Sequence, residues 1–182
     1  MLAAAGVPFE AIAPRVDEDA AKASLRASGL NARDLADALA ELKAMRVAAS
    51  RPGDLVLGCD QTLMLDDGMM LDKPGTNLAA HLRLLSGQTH SLYSAVVAVE
   101  NGTPVWRHVD RVKLTMRSLS DAFIADYVAT EGAMAAGCVG GYRIEAAGAQ
   151  LFSAIDGSHF TILGLPLLQL LAWLRLRGIM AS

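Results

Sequence analysis

Asp60 lies inside Leu55 to Leu65, Leu-Val-Leu-Gly-Cys-Asp-Gln-Thr-Leu-Met-Leu. Both alternating faces of that run are apolar, the pattern of a strand buried on both sides. A lone carboxylate there is expensive unless it has a partner or a metal. Asp60 is therefore a candidate catalytic or metal-binding group; the alternative is a buried Asp bonded to a neighbouring loop. Gln61 should face the other way from a regular strand, and Cys59 reads as a small core residue.

Four further places carry chemistry-capable residues. Asp17-Glu18-Asp19 follows a predicted strand, and such carboxylates can hold Mg²⁺ or Mn²⁺ through oxygen, or form a solvated acidic loop. Lys73 precedes Pro74, which favours an extended Lys73 aimed from a strand end. That suits a phosphate contact or an ordinary turn. Arg143 and Glu145 share a face if their segment is extended. A cation there can meet phosphate and a carboxylate can accept from base N–H groups, or the two form a surface ion pair. Lys43 flanks the apolar stripe of a predicted helix and either reaches such a site or snorkels to water.

The elements that must position these residues are legible from period and punctuation. Met1–Ala5 reads as the tail of a helix ended by Gly6 and Pro8. Phe9–Ala13 predicts a short strand. Residues 33–49 predict a helix, with Leu35, Leu39, Leu42 and Ala49 as its apolar face. Leu55–Leu65 predicts a long strand, Asp66-Asp67-Gly68 a turn, and Met69–Leu71 a returning strand. Asn77 should cap a helix to Leu85. Ser91–Glu100, Asn101-Gly102 and Val105–Met116 form the clearest hairpin. Ser120 should cap a helix to about residue 129. Residues 137–148 are glycine-rich and irregular. Phe160–Leu163 predicts a strand, and Pro166 opens a helix ending near Gly178. Such a mixture implies an α/β fold with a mixed sheet and antiparallel hairpins.

The chain has 182 residues, 53% hydrophobic and 19% charged, with net charge −3. That supports residues 1–182 as one folded domain and excludes disorder. No basic stripe marks a nucleic-acid binder. Two cysteines and four scattered histidines have no zinc-ligand spacing. No run suits a signal peptide or membrane span, so a cytoplasmic location is expected.

The order of the pieces carries a resemblance. Val16-Asp17-Glu18, Lys43-Ala44, Gly58-Cys59-Asp60-Gln61, Asp72-Lys73-Pro74 and Leu85-Ser86-Gly87-Gln88-Thr89-His90 are followed by Leu119-Ser120-Asp121 and Gly164-Leu165-Pro166-Leu167. Together they resemble the Maf family over nearly the whole chain. The resemblance implies a Maf/ITPase-like (anticodon-binding-like) mixed sheet flanked by helices. It implies a pyrophosphatase that cleaves a nucleoside triphosphate to monophosphate and pyrophosphate with a divalent metal, Mg²⁺ or Mn²⁺. By matching motifs, Asp60 becomes the proton acceptor and, with Glu18, a metal ligand. Lys43 and Lys73 become phosphate contacts. Gln61, Arg143 and Glu145 fall to substrate, with Gln61 and Glu145 at the base. A homodimer is the expectation for partners beyond the nucleotide.

Asp60-Gln61 with Arg143-Ile144-Glu145 is more similar to the branch associated with 7-methyl-GTP than to the Asp-Thr branch that prefers dTTP and UTP. Residues 133–141 and Ala146-Ala147 depart from both. The family opens with a strand and a Ser-x-Ser-x-x-Arg-Arg loop that contacts phosphate. Neither is present ahead of Met1, so the chain is expected to be truncated. The rival expectations are a nucleotide-binding or regulatory protein without catalysis and a hydrolase that removes only the terminal phosphate.

Overall fold

The computed structural model describes residues 1–181. Along the chain these form α1 (Glu18–Ala27), α2 (Ala32–Ala48), β1 (Leu55–Leu65), β2 (Met70–Leu71), α3 (Leu78–Leu85), β3 (Thr89–Glu100), β4 (Thr103–Met116), α4 (Asp121–Ala135), β5 (Phe152–Asp156), α5 (His159–Ile162) and α6 (Leu167–Leu176). The five strands form one sheet in the order β2-β1-β3-β4-β5. β2 is antiparallel to β1, with Leu63 opposite Leu71, and β5 is antiparallel to β4, with Lys113 opposite Asp156. The fold is the α/β class with antiparallel hairpins that the sequence predicts. Asn101 and Gly102 turn β3 into β4 with φ of 51° and 72°, a pair of positive values that suits the twist of a tight hairpin.

Two compact units divide the chain, and β1, β3 and β4 contribute residues to both. The first holds Met1–Gln61, Tyr93–Asp110 and Ser158–Ser182. Within it, the alternation of β1 splits the core in two. Leu55, Leu57 and Cys59 pack against Leu167, Leu170, Leu171 and Leu174 of α6. Val56 packs with an alanine row, Ala36, Ala40, Ala44 and Ala48 of α2, and with Ala95, Val97 and Val99 of β3. Spacing of four puts those alanines on one helical face. Small side chains let the helix lie close to the strand, and Gly58 completes the fit: a Cβ there would stand 2.2 Å from the Ala40 carbonyl oxygen.

The second unit holds Thr62–Leu92 and Arg111–Gly157. His90, Tyr142 and Phe152 cluster inside it, Tyr142 meeting Phe152 edge-on at 4.8 Å. Ser120 caps α4 by accepting from the Phe123 N–H at 3.2 Å.

Several expectations are corrected. Phe9–Ala13 forms no strand; it has strand-like composition, yet no strand partner is paired with it among the described residues. Phe160–Leu163 lies largely in the helical turn α5 rather than a strand, because a four-residue apolar run fits either period. On α2, Leu42 and Ala49 are exposed and the alanine row is buried in their place. Asn77 makes no side-chain cap; a 3-10 turn over Gly75–Asn77 leads into α3 instead. α4 continues to Ala135, past residue 129. α1 and β5 went unpredicted.

Candidate active site

The close approach of α2 to β1 at Gly58 brings Lys43 beside Asp60. Lys43 lies one residue before Ala44 of the buried row, so its stem leaves the flank of the helix. Its ammonium donates to Asp60 Oδ1 and meets Glu18 Oε2 at 2.9 Å. Glu18 opens α1, and Lys22, one turn later, pairs with its other oxygen at 3.2 Å. Asp60 is 8% exposed. Lys43 therefore does not snorkel to water; it sits between two carboxylates.

The charges of these groups are set by burial and by one another. Burial pushes the Asp60 carboxyl above its ordinary value, and the Lys43 ammonium opposes that only in part. Burial would lower Lys43, but its bonds to Asp60 and Glu18 outweigh it and hold the ammonium protonated. Glu18 is likewise desolvated, yet Lys43 and Lys22 keep it below the usual carboxylate range. The result is a fixed cation, a fixed anion and one carboxylate poised higher than its neighbours.

The acidic run Asp17-Glu18-Asp19 separates into different jobs. Asp17 is the N-cap of α1 and accepts from the Ala20 N–H at 3.0 Å. Only Glu18 of the three joins Lys43 and Asp60. Among the described residues no three His, Cys, Asp or Glu side chains gather into a metal-binding group. Asp60 Oδ2 is nonetheless buried with no hydrogen-bond partner. A free buried carboxylate oxygen near a second carboxylate fits a hard cation that draws its remaining ligands from phosphate and water.

Gln61 faces away from Asp60, as strand alternation requires. Its amide nitrogen donates to Ser94 Oγ at 2.9 Å and to the carbonyls of Thr161 and Ile162 at 2.8 and 3.1 Å. The two carbonyl partners carry no signal in the sequence, since the α5 turn that presents them looks like a strand.

In the second unit, Lys73 follows β2 and is exposed, while Pro74 beside it is buried. Arg143 and Glu145 lie in a segment that turns at 144–146 rather than extends, and they form the ion pair of the other expectation: the guanidinium meets Glu145 at 3.2 Å and Glu131 of α4 at 3.6 Å. Glu131 was not singled out from the sequence, where it is one of three acids on that helix, with Asp121 and Asp126. A cavity of about 550 Å³ lies in the first unit between residues 7–12 and the start of β1; none of Glu18, Lys43 or Asp60 lines it.

The sequence matches the Maf-like protein family over residues 1–177, and the chain belongs to that family. It is 52% identical to a nucleoside triphosphate pyrophosphatase of Sphingopyxis alaskensis, across 98% of this chain and 91% of the relative. It is 52% identical to a protein of the same name from Rhodospirillum rubrum, across 100% and 91%. It is also 51% identical to a 7-methyl-GTP pyrophosphatase of Mesorhizobium japonicum, across 98% and 90%.

Proposed function

We propose that this chain is a nucleoside triphosphate pyrophosphatase that hydrolyses its substrate to a nucleoside monophosphate and pyrophosphate. The observation that carries the reading is Lys43 bonded to both Asp60 and Glu18, in a family whose relatives bear that activity in their names. Asp60 is the proton acceptor. Its raised pKa makes it a stronger base than a solvated carboxylate, which favours taking a proton from water attacking phosphorus. Lys43, held cationic, offsets negative charge that grows on the phosphate oxygens. Lys73 serves as a second cation for the triphosphate.

Glu18 and Asp60, through its free Oδ2, are the residues to hold Mg²⁺ or Mn²⁺. Such a cation supplies charge neutralisation of the triphosphate and acidifies bound water. Arg143 and Glu145 are assigned to the nucleotide, Glu145 as an acceptor for base N–H groups. Gln61 faces away from Asp60 with its amide nitrogen taken, which suits anchoring of the strand rather than a base contact. One relative is named for 7-methyl-GTP, and Asp60-Gln61 with Glu145 favours a purine of that kind. A cytoplasmic homodimer is the setting we assign.

Pyrophosphate release by the 182-residue chain with Mg²⁺ or Mn²⁺ tests this, across the common ribo- and deoxyribonucleoside triphosphates and 7-methyl-GTP. The expected result is pyrophosphate, and no orthophosphate, from one or a few of them. Asp60→Asn should lower turnover at least about a thousandfold, the order of a lost general base, with the circular dichroism spectrum unchanged. Full activity in that variant removes Asp60 from the role.

A further inference from the structure

We propose that Asp110 and Thr161 are positioning residues for Asp60, acting through Gln61. The inference goes beyond the assigned roles and rests on the reading that Asp60 is the reacting carboxylate. Four side chains from four elements make one connected set. The Asp110 carboxylate, on β4, accepts from Thr161 Oγ1 at 2.6 Å. The Thr161 carbonyl, on α5, accepts from Ser94 Oγ of β3 at 2.7 Å and from the Gln61 amide at 2.8 Å. Ser94 Oγ in turn accepts from that amide at 2.9 Å. Thr161 and Ser94 are fully buried.

A polar set this deep is costly to leave half-made, so it holds one arrangement. Its effect reaches Asp60 by covalent geometry. Gln61 is the next residue on the strand, and its side chain is fixed on the face opposite Asp60. Anchoring it at three acceptors fixes where the backbone places Asp60 relative to Lys43 and Glu18. Catalytic groups tolerate displacements of only about 0.5 Å. Side chains that merely filled space would need none of these bonds. Thr161 would be as well served by Val, and the half-buried Asp110 need not turn inward to it.

The test uses Thr161→Val, which deletes the hydroxyl at nearly equal size, Asp110→Ala, and Asp110→Asn, whose amide oxygen still accepts. Two readouts are taken on each full-length variant. In steady-state kinetics, Thr161→Val and Asp110→Ala should lose about tenfold or more in kcat, equivalent to about 1.4 kcal/mol, with KM little changed. Asp110→Asn should stay within about threefold of the parent, a difference of under about 1 kcal/mol. In NMR of ¹³C-carboxyl aspartate at one fixed pH, the Asp60 signal, assigned by its loss in Asp60→Asn, should move in the first two variants and keep its position in the third. An unmoved Asp60 signal in Thr161→Val overturns the proposal, as does an Asp110→Asn variant as impaired as Asp110→Ala. If the parent chain releases no pyrophosphate, the functional reading fails on that account, and the position of the Asp60 signal alone decides the positioning role.

Discussion

Lys43 decides more at the residue scale than any other side chain. It is bonded to both carboxylates of the cluster, and its hydrogen bond and charge do most to keep a buried Asp60 from rising further. Lys43→Met removes that charge and keeps most of the stem. Asp60 then loses the interaction that favours its ionised form, so its pKa moves up. The acid limb of the kcat profile, where Asp60 must be ionised, should move to higher pH than in the parent. Maximal kcat should fall by about a hundredfold or more, since a charge-assisted contact of about 3 kcal/mol is lost. An unmoved acid limb, read from rate against pH between 5 and 9, would show that Lys43 does not set the proton acceptor. Glu18 adds a stability effect of known sign. Its folded pKa is lowered, so its contribution is present above the unfolded value of about 4.3 and is lost as pH falls through the folded one.

Elements deliver these residues, and the tightest joint is α2 against β1. Gly58→Val places a branched side chain where even a single Cβ would stand 2.2 Å from the Ala40 oxygen and 2.6 Å from the Ala44 nitrogen. Both neighbours are helix backbone and cannot rotate away. Overpacking of that kind costs about 1–3 kcal/mol or more, and it moves Lys43 off Asp60. The urea midpoint should fall and activity should drop further than the loss of folded protein explains. A variant as stable and active as the parent would show that the helix has room to spare.

Legibility from sequence divides along the same line. Asp60 stood out because a charge interrupts an apolar strand, and the strand could be read because its period is plain. The alanine row could not be ranked above Leu42, because alanine carries little apolar signal and its burial depends on what lies opposite. The signals that begin α1 were on view in Asp17-Glu18-Asp19: a capping Asp and acids in the first turn. The sequence leaves them open between a metal-binding run and a solvated acidic loop, because a helix cap and its acidic first turn use the same residues as either. Phe160–Leu163 was too short for any period, so the carbonyls that hold Gln61 stayed out of reach of sequence.

The molecule as a whole holds a titratable group that takes no part in the cluster: His90, fully buried in the second unit. Its Nε2 is bonded to the Tyr142 hydroxyl at 2.7 Å, while Nδ1 has no partner. Burial holds its pKa down to about 4, with His81 of α3 repelling a second charge and Asp66, in the turn after β1, opposing weakly. The unfolded chain binds that proton at about 6.5. Between those values the unfolded state holds more protons than the folded one, so stability falls as pH drops from about 6.5 towards 4. At about 1.4 kcal/mol per unit the loss has an upper limit of about 3.5 kcal/mol, a large share of what holds a domain of this size together. His90→Gln retains a side-chain amide to meet Tyr142 and removes the titration. Its urea midpoint should start lower at pH 7, where the parent's packing is intact, and decline less steeply towards pH 4.5. Parallel curves for parent and variant would place the acid sensitivity elsewhere, with Glu18 and its lysine partners the next group to test by the same measurement.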